Sequence, residues 1–417
     1  MRLSGPGALD ILKKITGLDN IQPRAATLTR WHDNEGDILD EGLVFFFPAP
    51  HSYTGDDVVE LQGHGSPVLL RALLQSLYQL GCKPAGPGEF TRRAVENGHL
   101  DLSQAEAVAA CIDAATVRSG KQALRQLQGV FGQHIDHLMQ QLTGLVAQVE
   151  ACLDFSEEDI PALHFEKLSV QMQQTVIDPI KKLLRTSTLG ERLFDGAVVA
   201  IIGASNVGKS SLLNALSGYD RAIVSDIPGT TRDVLEIDFE IHGIPVRLAD
   251  TAGLRLSDDI VEQEGIRRAK MAARQADVII FVADATRPET WNASMDANIY
   301  LMNKIDIIQP QYPRHFIPVS VRHGKGLVNL KDSLAQQLGD MPLADEGLLV
   351  TCERHRNLLS EALLHLRNGM STIRHQEQLE LTAMELRSAW SALGCILGIG
   401  DIEYILDRVF ADFCIGK

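Results

Sequence analysis

The chain has 417 residues, 45% of them hydrophobic and 22% charged, the balance of a soluble globular protein with room for two or three domains. Lys plus Arg number 39 against 54 Asp plus Glu, a formal charge of −15, which opposes broad electrostatic attraction to nucleic acid or to an anionic membrane. The six Cys form no CxxC pair, no charged-then-apolar leader opens the chain, and no apolar run approaches the roughly 20 residues of a membrane span, so a reduced cytoplasmic protein is expected.

Residues 1–97 read as a mixed α+β section. The tetrapeptide Arg2-Leu3-Ser4-Gly5 looks like the end of a strand. Segments 42–47 and 57–61 are strand-like, 67–80 is helical, and Gly86-Pro87-Gly88 punctuates the remainder. From Leu100 the pattern turns helical. Leu124, Leu127, Phe131, Ile135, Leu138, Leu142, Leu145 and Val149 alternate steps of three and four, a stripe expected on one helix face of a bundle. The spacing resumes at Leu359, Leu363, Leu366, Met370 and Ile373, and again at Leu386, Trp390, Leu393 and Leu397. Stripes flanking a different pattern predict one helical domain, 98–190 with 343–417, carrying an insertion at 191–342. Within 191–342, apolar runs at 197–202, 246–249, 278–282 and 299–302 alternate with helical stretches. That is the rhythm of a mostly parallel α/β sheet.

Gly203-Ala204-Ser205-Asn206-Val207-Gly208-Lys209-Ser210 fits the phosphate-loop pattern after a strand and before a helix. Glycines let the backbone curl round phosphates, and amide N–H groups with the helix N-terminus face their charge. Lys209 is expected at the β- and γ-phosphates of GTP and Ser210 at Mg²⁺. Asp250-Thr251-Ala252-Gly253 ends the run 246–249, where a carboxylate can hold the Mg²⁺ shell and the Gly253 N–H can sense the γ-phosphate. Between them, Thr231 in Gly229-Thr230-Thr231 is the expected second hydroxyl on Mg²⁺. Asn303-Lys304-Ile305-Asp306 follows another apolar run; the two oxygens of Asp306 match the N1–H and amine of guanine, a donor pair adenine lacks. Ser320-Val321-Arg322 sits where the last base-contacting loop belongs. Leu254 follows DTAG where a Ras-type protein has the Gln that orients water, so another group must take that role.

The chain resembles the tRNA-modifying GTPase family MnmE, also called TrmE. The resemblance extends beyond the nucleotide loops. It includes Ser52-Tyr53-Thr54-Gly55-Asp56-Asp57 continuing to Gln62-Gly63-His64-Gly65, and Pro87-Gly88-Glu89-Phe90-Thr91. It also includes Leu100-Asp101-Leu102-Ser103-Gln104-Ala105-Glu106-Ala107 and the terminal Phe413-Cys414-Ile415-Gly416-Lys417. It implies a Ras-like phosphate-loop GTPase domain inserted into a helical bundle, with a small α+β folate-binding and dimerising N-terminal domain.

The resemblance implies a K⁺-activated GTPase whose G domains meet in the transition state. Asn206, Ser225, Ile227 and Thr230 would ligate K⁺, and the cation would neutralise charge developing on the phosphates. Ser211, Ser225, Asp226, Ile227, Pro228 and Gly229 would join the GTP contacts, and Glu262 would orient the attacking water. An FAD-dependent partner, MnmG, would complete a heterotetramer holding tRNA mostly through the partner. Together they would install an aminomethyl or carboxymethylaminomethyl group on C5 of the wobble uridine, with 5-formyl- or methylene-tetrahydrofolate carrying the one-carbon unit. Arg2, Glu60, His99 and Lys417 match the folate positions, although His99 stands where relatives carry Lys and a Gly-rich segment that normally precedes Arg2 is absent. Cys414 fits a terminal packing thiol better than a nucleophile, having no His near it in sequence. A ribosome-assembly GTPase would want a basic tail, and a dynamin- or septin-like protein a basic lipid-binding stretch; neither is evident.

Overall fold

The computed structural model describes residues 1–154, 162–219, 239–249, 274, 276–292, 296–308, 311–339, 348–373, 376–400, 403–411 and 413. The chain divides into two compact units. One comprises Met1–Ala109, Gln126–Gly132 and Gly394–Lys417, the other Ala110–Arg125 and Gln133–Leu393.

The first unit is built on an antiparallel sheet of β1 (Arg2–Ser4), β2 (Thr27–His32), β3 (Ile38–Phe47) and β4 (Val58–Gln62), in the order β1-β4-β3-β2. The strand-like start is real: Arg2 pairs Glu60 and Ser4 pairs Val58. In β3, Val44 and Phe46 point into the core while Leu43, Phe45 and Phe47 take the other face, the period of two that a half-buried strand requires. Helices α1 (Ala8–Thr16) and α2 (Pro67–Gln79) cover one face through Leu12, Ile15, Leu73 and Leu77 against Trp31, Val44 and Leu61. Pro67 opens α2 at the position where a missing N–H costs nothing. Helix α3 (Glu89–Glu96) comes next, then α4 (Leu102–Asp113).

The stripe from Leu124 to Val149 does not lie on one helix. Helix α5 (Val117–Leu127) ends and α6 (Val130–Asp154) begins around Gly129, whose φ of 83° a helix cannot accommodate. Leu124 is exposed, whereas Phe131, Ile135, Leu138, Leu142, Leu145 and Val149 are all buried along α6. After α7 (Ala162–Met172), a π-helical turn, α8 (Asp178–Leu184) and α9 (Ser187–Asp195), the chain enters a second sheet.

That sheet holds β5 (Ala197–Ile202), β6 (Phe239–Ile241), β7 (Ile244–Leu248), β8 (Val278–Asp284), β9 (Ile299–Asn303) and β10 (Phe316–Pro318), in the order β10-β9-β8-β5-β7-β6. All neighbours pair in parallel except β6 with β7, a hairpin. Strands β5, β8 and β9 are covered on both faces, which explains their unbroken apolar runs. Val278, Ile280 and Val282 join α9, α10 (Lys209–Tyr219) and α11 (Leu327–Gln337) in one core, while Phe281 and Ala283 enter a second with Met302 and Phe316. The β6–β7 turn, His242 (φ 47°) and Gly243 (φ 83°), has the left-handed pair of a tight hairpin. It is fastened to the start of α5: Thr116 Oγ1 donates to the Gly243 carbonyl at 2.7 Å and Arg118 Nη1 to the His242 carbonyl at 2.7 Å.

Two later helices, α12 (Glu353–Thr372) and α13 (Leu379–Leu397), carry the predicted stripes: Leu359, Leu363 and Leu366 on the first, with Ile373 at its C-cap, and Leu386 and Leu393 on the second, are buried. Trp390 Nε1 donates to Thr143 Oγ1 at 3.1 Å and Arg387 pairs Glu150, so α13 packs on α6. Helix α14 (Glu403–Ala411) belongs to the first unit, where Leu406, Phe410 and Phe413 pack on Leu102 and Ala105. Among the described residues no helix is long and apolar enough to cross a membrane.

Candidate functional site

The loop between β5 and α10 is shaped by close approaches. Gly203 has φ 146°, and a Cβ there would lie 2.3 Å from the Val282 carbonyl oxygen; a Cβ on Gly208 would lie 2.4 Å from Asn303 Nδ2. Asn206 adopts φ 64°, a left-handed conformation that Asn tolerates better than most side chains. Lys209, Ser210 and Ser211 open α10, whose first amides have no acceptor within the helix.

Each carbonyl from residue 203 to 207 accepts a hydrogen bond from a side chain. Lys209 Nζ donates to Gly203 (2.9 Å) and Ala204 (2.7 Å). Arg287 Nη1 donates to Ser205 (3.2 Å), Lys304 Nζ to Asn206 (2.9 Å) and Asn303 Nδ2 to Val207 (2.9 Å). A peptide unit is planar and trans, so a carbonyl held on one side turns the next residue's N–H to the other. Each brace therefore fixes the direction of one amide among residues 204–208, opposite to the carbonyl it holds. Burial pushes the Lys209 ammonium's pKa down, and its described partners are neutral carbonyls, so a ligand with phosphate charge fits the group.

The Asn-Lys-Ile-Asp loop joins this site at the end of β9. Asn303 is buried and also accepts from the Val321 amide (3.2 Å), tying the phosphate loop to the segment Ser320-Val321-Arg322. Lys304 Nζ reaches Asp284 Oδ2 at 2.6 Å. Burial alone would raise the Asp284 pKa, but hydrogen bonds from Lys304 and from the hydroxyl and amide of Thr286 outweigh it and hold the carboxyl below its ordinary range. Asp306 Oδ1 accepts from Ser320 Oγ at 2.6 Å, with His323 Nε2 3.6 Å from Oδ2; the Ser320 hydroxyl chiefly keeps the carboxyl ionised. The aligned carboxylate has the acceptor pair that guanine's donors require.

Ser225, Asp226, Ile227, Pro228, Gly229, Thr230, Thr231, Asp250, Thr251, Ala252, Gly253, Leu254, Glu262, Cys414 and Lys417 lie outside the described residues. Asn206, Val207, Gly208, Lys209, Ser210, Ser211, Asn303, Lys304, Asp306, Ser320, Val321 and Arg322 all lie on three loops at this end of the sheet or on the helix and strand ends that adjoin them. Two further participants, Asp284 and Arg287, belong to none of the sequence motifs. Asp284, the polar end of the run VIIFVAD, is detectable in principle as a charge closing a buried strand. Arg287 carries no signal.

In the first unit, β1 and β4 bring Arg2 and Glu60 together, Arg2 Nε donating at 2.9 Å. The guanidinium lies over the rings of Tyr53 and Phe90, 5.5 and 5.6 Å from their centroids. The His99 ring lies against Gly55. The motif segments interlock: Tyr53 Oη meets Thr91 Oγ1 at 2.8 Å, and Asn97 Nδ2 donates to the Thr54 carbonyl at 2.6 Å. Arg92, held by Glu96 and Asp407, lines a cleft of about 630 Å³ with Arg93 and Phe410; Arg2, Glu60 and His99 are not among its walls.

A parallel sheet whose phosphate loop is braced by an Asn-Lys-x-Asp loop defines a phosphate-loop GTPase. Profiles of known families match most of the chain: the MnmE helical domain over residues 102–414 and the GTP-binding protein TrmE N-terminus over residues 1–99. Proteins called tRNA modification GTPase MnmE are similar throughout. That of Xylella fastidiosa (strain 9a5c) is 42% identical over 431 residues, covering 100% of this chain and 94% of that protein. That of Aquifex aeolicus is 41% identical over 434 residues (100% and 96%), and that of Parvibaculum lavamentivorans 43% over 422 (100% and 96%). The chain belongs to the MnmE family of tRNA modification GTPases. The FeoB G-domain of Methanococcus jannaschii aligns at 21% identity over 34% of this chain and 98% of that one, with a TM-score of 0.25, too low to carry weight.

Proposed function

We infer that this protein is the GTP-hydrolysing subunit of a complex that modifies C5 of the wobble uridine of certain tRNAs to aminomethyl or carboxymethylaminomethyl uridine. An FAD-dependent MnmG-type partner and a tetrahydrofolate one-carbon unit complete the chemistry, and the complex works in the cytoplasm. The observation that carries this is the match of the entire chain, at 41–43% identity, to proteins named for that class of activity.

The arrangement proposed is the one expected from sequence: an N-terminal folate and dimerisation domain at 1–97, helical segments at 98–190 and 343–417, and an inserted G domain at 191–342. GTP binds the phosphate loop, with Lys209 on the phosphates, Ser210 and Thr231 on Mg²⁺, and Asp306 reading guanine. K⁺ sits with Asn206, Ser225, Ile227 and Thr230 and promotes hydrolysis as two G domains meet; Glu262 orients water. Arg2, Glu60, His99 and Lys417 hold the folate, and the Arg2–Glu60 pair beside Tyr53 and Phe90 is compatible with a flat, donor-rich ring there.

The deciding experiment is mass analysis of wobble uridines in a strain lacking this gene, with and without the gene restored. Loss of the C5 substituent and its return on complementation is expected. Unaltered uridines in the deletion strain would overturn the assignment.

A further inference from the structure

We propose that Arg287 is a positioning residue of the nucleotide site: it fixes the peptide between Ser205 and Asn206, and so aims the Asn206 amide at nucleotide phosphate. The proposal rests on residues 203–210 being the phosphate site.

Arg287 lies just beyond β8, far in sequence from the loop it touches. Its Nη1 donates to the Ser205 carbonyl at 3.2 Å. That carbonyl and the Asn206 N–H belong to one planar peptide unit and point in opposite directions. Lys304 holds the next unit through the Asn206 carbonyl. Asn206 is the non-glycine residue of this loop in the left-handed region, with φ 64°. Such a residue gains from being held, because its backbone has a lower-energy alternative close by. Arg287 and Lys304 clamp it from either side.

The arm carrying the guanidinium is itself built. The Arg287 amide donates to the Asp284 carbonyl (3.0 Å), and the Arg287 carbonyl accepts from the Thr290 amide (2.9 Å) and hydroxyl (2.7 Å). Thr290 is buried, and its hydroxyl also accepts from the Asp284 amide at 3.0 Å. Glu289 Oε1 accepts from Arg287 Nε at 3.0 Å and orients the fork. One turn, Asp284 to Thr290, thus supplies both clamps: Arg287 directly, and Lys304 through Asp284.

Aiming an amide aids ground state and transition state alike, so the effect belongs in affinity and not in the chemical step. With the full-length protein, Arg287→Ala should weaken GDP and non-hydrolysable GTP analogue binding by the same factor, about three- to tenfold, the range of one hydrogen bond at a half-exposed site. Single-turnover hydrolysis at saturating GTP should stay within about twofold, and Arg287→Lys, which keeps a cationic donor, should recover most of the lost affinity. Unchanged affinity in Arg287→Ala would overturn the proposal. So would a slower single turnover at unchanged affinity, which would put the guanidinium in the transition state. A loss of affinity matched by a large drop in melting temperature without nucleotide, and not relieved in Arg287→Lys, would make the residue a structural prop and also overturn it. Lys209→Ala separates the premise: if that variant binds GDP normally, the phosphate-site assignment itself fails, whereas lost binding there with normal binding in Arg287→Ala sinks the positioning role alone.

Discussion

Truncating Asn303 to Ala should undo the joint between three loops. Its amide nitrogen donates to the Val207 carbonyl at 2.9 Å and its oxygen accepts from the Val321 amide at 3.2 Å. Asn303 and Val207 are buried and Val321 is half-buried. Alanine leaves one carbonyl and one amide without these partners. An orphaned buried group costs about 1–3 kcal/mol, and water can recover part of the loss at Val321, so the total should be about 2–4 kcal/mol. That loss should appear first as reduced stability of the nucleotide-free protein, seen as a lower urea midpoint in far-ultraviolet circular dichroism. GDP affinity, titrated calorimetrically, should fall at least about tenfold, because binding must then re-order the Val207 peptide; tenfold corresponds to about 1.4 kcal/mol. Asn303→Asp separates hydrogen bonding from volume. It keeps the acceptor for Val321 but turns an acceptor toward the Val207 carbonyl, so it should be at least as damaging as Ala. An Ala variant within about 0.5 kcal/mol of the parent, with unchanged GDP affinity, would refute the bracing role.

Changing Asp306→Asn places a donor against guanine's donors, so GTP affinity should fall by on the order of a hundredfold while xanthosine nucleotides gain; nucleotide competition measures both, and unaltered GTP binding would remove Asp306 from base recognition. Glu262→Ala should slow single-turnover hydrolysis about 10²–10⁴-fold with GDP affinity intact, and a normal rate would return Glu262 to an ordinary surface carboxylate. Turnover should be fast in KCl and slow in NaCl at equal ionic strength, with Asn206→Ala erasing the difference; a parent protein indifferent to the cation would exclude K⁺ activation. The depressed pKa of Asp284 implies stability that is present above its unfolded value, about pH 4, and is lost as pH falls through the lower folded value. Asp284→Asn should therefore be less stable than the parent at neutral pH, by about 1–3 kcal/mol, and the gap should close in acid; a gap independent of pH in urea titrations would contradict the charged pair with Lys304.

The strands at 197–202, 278–284 and 299–303 were legible because a strand covered on both faces must be apolar throughout, and a run bounded by turn residues announces it. The three-residue strands Phe239–Ile241 and Phe316–Pro318 are too short to show any period. Strand Thr27–His32 buries little besides Trp31 and so reads as polar loop. The stripe from Leu124 to Val149 misled because three-and-four spacing survives a helix break of a few residues; only the backbone of Gly129 reveals it. At the site, residues that touch nucleotide in any phosphate-loop protein stand in contiguous motifs. The braces behind them do not: Arg287 and Asp284 act through partners whose positions the fold alone determines.

Three of the five braces on the phosphate loop come from far along the chain. Val207 and Asn303 are separated by 96 residues, Asn206 and Lys304 by 98, and Ser205 and Arg287 by 82. The loop can take its final shape only when β8 and β9 have joined β5, so its competence to bind is a late event in the folding of the sheet, governed by long-range closure and not by local preference. A peptide spanning 203–210 would lack those three carbonyl partners and would leave the amides of 206–208 free to turn. Nucleotide then recognises the assembled sheet and ignores the unfolded chain, and mass action converts that discrimination into protection: a free concentration a hundred times the dissociation constant adds about 2.7 kcal/mol to the folded state. In a cell rich in guanine nucleotide, the lifetime of this protein against unfolding and proteolysis should therefore follow the occupancy of that loop.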